Sequence, residues 1–442
     1  MPVLSRRWRF LRFSPTHRTK WAAHLVVSGA ALGAAALVAC SEPLLPGLPR
    51  DDLVLEGPID GLAGAQLAAF AAGDGEFSRR FTGAEGLGPL FIAPSCEGCH
   101  VGDGKGHPLF DITRFGRRAV DGTFDPMRAA GGPQLQNRAV LNYLAERMPV
   151  GATAVARFTA PAVTGLGLLE AVDDATLLAL ADPDDRDGDG ISGRPHLVDS
   201  TDAIAEFVDF ETTVNDGPAS RHVPINGQYI GRFGKKARVV TLLQQTAFAY
   251  SEDMGLTTDR VPRDLFNRQV GNFATDAAPD PEVSSAVVSN VVFYLRTLRP
   301  PPRRGADRPE VRAGEALFAE AGCGGCHVAT LRTGASDIAA LDRVAFAPFT
   351  DLLLHDMGPE LDDAGYTEGD ALPSEWRTAP LWGLGLAERA QGGGAFYLHD
   401  GRARTLRDAI RFHGGEGARS RAAFDRLPAD QQERLLAYLR SL

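Results

Sequence analysis

The chain has 442 residues, of which 44% are hydrophobic and 23% charged, and this globular composition excludes a disordered, collagen-like or multi-span membrane protein. Charge is unevenly spread: residues 1–39 hold six of the 46 Lys and Arg and none of the 56 Asp and Glu, so the remainder counts 40 against 56, a net of −16. A surface of that sign repels phosphate and excludes nucleic acid as a partner.

Arg6, Arg7, Arg9, Arg12, Arg18 and Lys20 precede an apolar run from Trp21 to Ala39. Basic residues before an apolar stretch are the layout of a bacterial export signal, so residues 1–39 are expected to be a signal peptide. The run is also about long enough to span a bilayer, which leaves an uncleaved anchor as the alternative. Leu37-Val38-Ala39-Cys40 is similar to the lipobox of bacterial lipoproteins, and Ser41 follows it. That similarity implies lipidation of Cys40, a tether over residues 40–60, and a periplasmic, lipid-anchored protein at the outer membrane. Acyl chains, at about 0.8 kcal/mol per buried CH₂, hold an otherwise soluble domain at a membrane surface.

Next come Cys96-Glu97-Gly98-Cys99-His100 and, much later, Cys323-Gly324-Gly325-Cys326-His327. Both read C-x-x-C-H, the attachment sequence of c-type haem, so two covalently bound haem c groups are expected. The spacing follows from the chemistry: at the start of a helix the two sulfurs bond the vinyl groups, and the adjacent histidine turns onto the iron. With Cys40, these are all five cysteines, so no disulfide framework or spare reactive thiol remains.

Between the motifs, Asp185-Arg186-Asp187-Gly188-Asp189-Gly190 follows the opening of a calcium loop, with Asp185, Asp187 and Asp189 as candidate ligands. The twelfth position is His196 where an EF-hand has Glu, so a solvated acidic turn is the alternative. Residues 284–298 have helical apolar spacing and close on Tyr294-Leu295-Arg296-Thr297-Leu298. Residues 429–442 repeat this, closing on Tyr438-Leu439-Arg440-Ser441-Leu442. Arg299-Pro300-Pro301-Pro302-Arg303-Arg304-Gly305 cannot continue a helix. The expected architecture is therefore mainly α: two cytochrome c-type helical domains, residues 61–298 and 306–442, joined by a Pro-rich linker at 299–305. The long stretch from the first motif to its closing helix makes the N-terminal domain one with a large loop-rich insertion.

Seven strings together resemble the bacterial di-haem oxidoreductases, relatives of the di-haem cytochrome c peroxidases. They are G-G-P-Q-L from Gly131, D-x-D-G-D-G-I-S-G-R-P from Asp185, G-R-F-G-K-K-A from Gly231, E-D-M-G-L-T from Glu252, D-L-L-L-H-D-M-G from Asp351, E-W-R-T-A-P-L-W-G-L-G from Glu375 and L-H-D-G-R-A-R-T-L from Leu398. The resemblance implies two haems facing a common interface, with His100 and His327 as proximal ligands. It also implies His413 as the sixth ligand of the C-terminal haem, the alternative being a donor that caps a helix end. The N-terminal haem is then open or weakly ligated, with His107 and Met254 as candidate sixth ligands. Its peroxidase-like chemistry needs a proton-moving group, for which Glu170 in an apolar segment is the candidate. His355, His399, Arg402, Trp376 and Trp382 are expected to contact or pack around the C-terminal haem. The implied partner is a small redox protein or quinol-linked electron donor. The implied function is peroxide reduction, the alternatives being a non-catalytic electron carrier and a di-haem oxygenase.

Overall fold

The computed structural model describes residues 55–200, 222–272, 274, 276 and 278–442. The signal peptide, Cys40 and most of the tether lie outside the described residues. Ten α-helices are described: α1 (Ala65–Ser78), α2 (Leu166–Glu170), α3 (Asp174–Leu180), α4 (Leu242–Phe248), α5 (Ser285–Thr297), α6 (Pro309–Glu320), α7 (Ala387–Ala390), α8 (Leu406–Arg411), α9 (Ala418–Arg426) and α10 (Ala429–Ser441). None is long and apolar enough to cross a membrane.

The closing helices form where the apolar spacing places them. In α5 the buried Val288, Val291, Val292 and Leu295 repeat at i, i+3, i+4 and i+7, a single helical stripe. Its first turn is capped from outside, because the Asp259 carboxylate accepts the Ser285 backbone N–H at 2.9 Å. In α10 the stripe is Leu435, Leu436 and Leu439, with Tyr438 beside it.

Each stripe packs on a helix lying before a C-x-x-C-H motif, α5 on α1 and α10 on α6. Both crossings are made by the same device. A Cβ on Gly73 would lie 2.1 Å from the Asn290 carbonyl oxygen, and one on Gly314 would lie 2.0 Å from that of Arg434, so only glycine lets either pair approach. One turn on, Phe77 meets Tyr294 with ring centroids 5.4 Å apart, and Phe318 meets Tyr438 at 5.3 Å. The motifs themselves are single turns, the second a 3-10 turn over Cys323–Gly325; an α-helix precedes each, and none starts on either where the spacing predicted a helix start.

Strand structure is local. Ile112–Arg118 pairs antiparallel with Phe124–Asp125 on one side and Ala154–Phe158 on the other. Four two-stranded ladders accompany it, among them Leu354–Asp356 with Glu375–Arg377. The Pro-rich segment runs without helix across the molecule, with Arg299 N–H on the Gly57 carbonyl (2.9 Å) and Arg304 N–H on that of Ser441 (2.8 Å).

Candidate haem cavity

Both cysteine motifs open onto one cavity of about 510 Å³. At the first, Cys99 N–H and His100 N–H both donate to the Cys96 carbonyl (3.1 and 3.0 Å), which winds the segment into one turn. His100 Nδ1 donates to the Pro161 carbonyl at 2.8 Å, leaving Nε2 as the nitrogen not spent on backbone. Burial pushes this imidazole down to about 4, so it is neutral, as a metal ligand must be.

The second motif repeats the arrangement. His327 N–H donates to the Cys323 carbonyl (3.0 Å) and its Nδ1 to that of Phe349 (2.9 Å). Facing it is His413, just beyond α8, whose Nδ1 donates to the Ala409 carbonyl at 2.8 Å. The two rings stand 6.5 Å apart between centroids, with 46° between their planes. Imidazoles that ligate one ion from opposite sides at about 2.0–2.1 Å have centroids roughly 6 Å apart, so the gap fits an axially ligated iron. The two readings of His413 are compatible: Nδ1 satisfies a helix-end carbonyl while Nε2 is left for the metal. Thr405 caps α8 through Asp408 N–H (3.0 Å), fixing the helix that carries His413.

Beside Cys326 lies a buried charged triad. His355 Nε2 bonds Asp351 at 2.8 Å and Nδ1 bonds Glu416 at 2.6 Å, with Cys326 Sγ 3.5 Å away. Burial opposes its charge, but the hydrogen bonds it donates to both carboxylates prevail and push the imidazole up to about 12. Trp376 stacks on His399 (centroids 3.6 Å, planes 7°), and Lys236 Nζ sits 3.8 Å over the Trp376 ring. Arg402 pairs with Asp363 (3.0 Å) and Asp400 (2.6 Å), while Trp382 packs on Phe346.

A family model described as "Di-haem oxidoreductase, putative peroxidase" matches residues 149–442, two thirds of the chain. The chain belongs to the di-haem oxidoreductase family. It is therefore an oxidoreductase of di-haem redox chemistry. The matched span holds the second motif and His413 and leaves residues 96–100 outside it. Among solved structures, it is similar to hydrazine synthase of Kuenenia stuttgartiensis (14% identity, TM-score 0.38, covering 96% of this chain and 100% of that one). A MauG-like protein associated with microbial copper homeostasis is also similar (18% identity, TM-score 0.28, covering 47% and 68%). No curated protein matches.

Three sequence expectations for this di-haem oxidoreductase need correction or narrowing. Glu170 is buried but does not line the cavity: Oε2 pairs with Arg296 Nε and Oε1 accepts Leu242 N–H, both at 2.6 Å. It is a structural carboxylate joining α2, α4 and α5. Replacing it by glutamine removes the carboxylate charge that faces the largely buried Arg296, so Glu170→Gln will lower unfolding stability by up to about 3–5 kcal/mol and leave turnover per folded protein unchanged. Denaturant unfolding and steady-state assays on one preparation check this, and wild-type stability with lost turnover would restore the catalytic role. His107 does not line the cavity either, since its Nδ1 accepts Leu109 N–H (3.1 Å) and its ring packs edge-on against Phe396. Met254 does line it, while packing in the core around α5.

Asp185, Asp187 and Asp189 bring carboxylate oxygens within 4.8 Å of one another. His196, the twelfth position, turns away to the Lys236 carbonyl (Nδ1 to O, 2.5 Å) and supplies no ligand. The cavity wall also carries Lys105, Arg114 and Arg238, which no motif contains, and Lys235, Glu252 and Asp253, which lie inside the family strings but had no role assigned to them. Glu252 and Asp253 share a π-turn over residues 249–253, and Glu252 is held ionised by Arg114 (3.2 Å) and Arg238 (2.9 Å). Asp253 takes only the Gln134 amide (2.7 Å), and burial pushes it up to about 6.

Proposed function

We propose that this chain is an exported di-haem c-type cytochrome that reduces hydrogen peroxide, its two motif pairs Cys96/Cys99 and Cys323/Cys326 each bonding one haem. The observation that carries the reading is the unequal surroundings of the two motif histidines: His327 faces His413 across a metal-sized gap, whereas among the described residues no histidine ring stands against His100 in that way, and the other lining histidines, His355 and His399, spend ring nitrogens on Asp351, Glu416 and Asp363. A six-coordinate iron suits electron storage and an open one suits substrate binding. When bound, the haems supply the redox chemistry, delivering two electrons to a peroxide that also takes up two protons and leaves as two waters.

The residues of the chain orient and protonate. Pro161 and Phe349 carbonyls fix the tautomers of His100 and His327, so each presents Nε2 to a metal. Asp253, with Oδ1 pinned by Gln134 and its carboxyl raised by burial to about 6, is placed to take up and release a proton at the cavity wall. The neighbouring Glu252 stays charged between two arginines and separates the two carboxylate roles. The repeated Gly-Phe-Tyr crossings support two cytochrome c-type domains, residues 61–298 and 306–442 around the 299–305 linker. The converging oxygens of Asp185, Asp187 and Asp189 support a calcium site. The export signal and Cys40 support lipid anchoring on the periplasmic side of the envelope. The acidic surface supports a basic small redox protein as electron donor.

Low-temperature EPR of the fully ferric protein, followed by a hydrogen peroxide consumption assay, tests the reading. One high-spin and one low-spin haem with peroxide consumption is the expected result. Two low-spin haems and no consumption would make the protein an electron carrier.

A further inference from the structure

The cavity holds positive charge that no carboxylate neutralises by contact. Lys235 Nζ has no hydrogen-bond or ion-pair partner among the described residues, although it lines the cavity. Lys105 Nζ donates only to the Leu398 carbonyl, at 2.5 Å. Arg377 spends Nε on the Gly234 carbonyl (3.0 Å) and Nη1 on that of Thr378 (3.1 Å), leaving Nη2 uncommitted. The acidic groups within electrostatic reach are Asp111, Asp400 and Asp351. Asp400 is paired with Arg402 and Asp351 with His355, while burial and Asp400 push Asp111 up to about 7. Burial drives Lys235 down to about 8 and Arg377 to about 10. Three partly buried cations without contacting counter-charges among the described residues, in a chain of net charge −10, leave room for an anionic ligand.

The surroundings say which anion. The same cavity presents Phe158, Phe233, Leu295 and Phe318 as apolar wall, so its occupant is a largely apolar molecule with charged carboxylate ends. The cluster also spans the two motifs: the Lys235 carbonyl accepts Arg377 N–H at 3.1 Å, placing the residues side by side. Lys235 feels His100 on one side, and Arg377 feels Asp351, the partner of His355 beside Cys326, on the other.

We propose that Lys105, Lys235 and Arg377 form one shared carboxylate-binding cluster, which takes propionate groups from both haems. This rests on the di-haem reading above. A cation beside a haem edge favours the reduced, less positive iron, so loss of one shared cation moves both potentials in the same direction.

The test is a spectroelectrochemical titration of the purified di-haem protein and of Lys235→Gln, Arg377→Gln, Lys235→Arg and Arg377→Lys, after haem content and spin state are measured. Both glutamine variants are expected to shift both midpoint potentials to more negative values, and the charge-keeping variants to stay near wild type. Unmoved potentials, or a shift confined to one haem in both glutamine variants, would overturn the shared cluster. A change of spin state in Lys235→Gln would also overturn it, by making Lys235 an axial ligand. Fewer than two haems in the wild-type protein would instead refute the di-haem reading, which keeps the two failures apart.

Discussion

His413→Ala will turn the C-terminal haem from low-spin to high-spin, and electron delivery will fall by at least about tenfold as the matched axial pair is lost. The argument is geometric. His413 reaches the cavity only because α8 ends there, Ala409 accepts its Nδ1, and Gly417 leaves space where a Cβ would come within 2.9 Å of the His413 Cβ. Alanine keeps the helix and removes the one nitrogen that faces His327. The vacated volume is that of an imidazole ring, so added imidazole should bind, return the low-spin spectrum and restore part of the rate. Helix stability is not at stake, because Thr405 still caps α8. EPR and visible spectra of the ferric variant, with and without imidazole, decide the matter. An unchanged low-spin signal would leave His413 as a helix-end donor alone.

What could be read from the sequence were the parts whose chemistry is local. Cys96, Cys99 and His100 must share one turn to bond one haem, so their spacing is their geometry, and the same holds for Cys323, Cys326 and His327. The closing helices were equally plain, since an apolar stripe ending in Tyr-Leu-Arg occurs twice. The partner helices carried a readable signal that went unread: Gly73 and Gly314 each stand four residues before a phenylalanine, Phe77 and Phe318, that meets the closing tyrosine. Glu170 shows the limit of such reading. Its apolar neighbours correctly implied burial, but burial does not specify what the carboxylate faces, and Arg296 lies 126 positions away in sequence. Lys105 and Lys235 were hidden for the converse reason. A lysine in a loop reads as a solvated surface charge, and only the fold brings these two to one cavity wall.

Removing the haem attachment cysteines will cost the chain its native state, not merely its activity. The cavity measures about 510 Å³, and at about 24 cal/mol per Å³ a dry void of that size would cost up to about 12 kcal/mol, less where water enters beside its charged groups. A domain's entire stability is about 5–15 kcal/mol, so the haem-free chain has little or nothing left with which to hold the walls apart. Those walls are core: Phe77, Val291, Leu295, Phe318, Leu435 and Leu439 belong to the two helix crossings and also line the cavity. Collapse onto the void therefore disturbs α1 against α5 and α6 against α10 together. The partly buried Lys105, Lys235 and Arg377 add to the cost, because without an anion their charges draw water into the cavity. The fourfold Cys96→Ser, Cys99→Ser, Cys323→Ser, Cys326→Ser variant should keep much of its far-UV helix signal, lose near-UV structure and be cut rapidly by protease. Haem-free protein that melts cooperatively within a few degrees of the wild type would sink this account, by showing that the helix crossings hold the cavity open on their own.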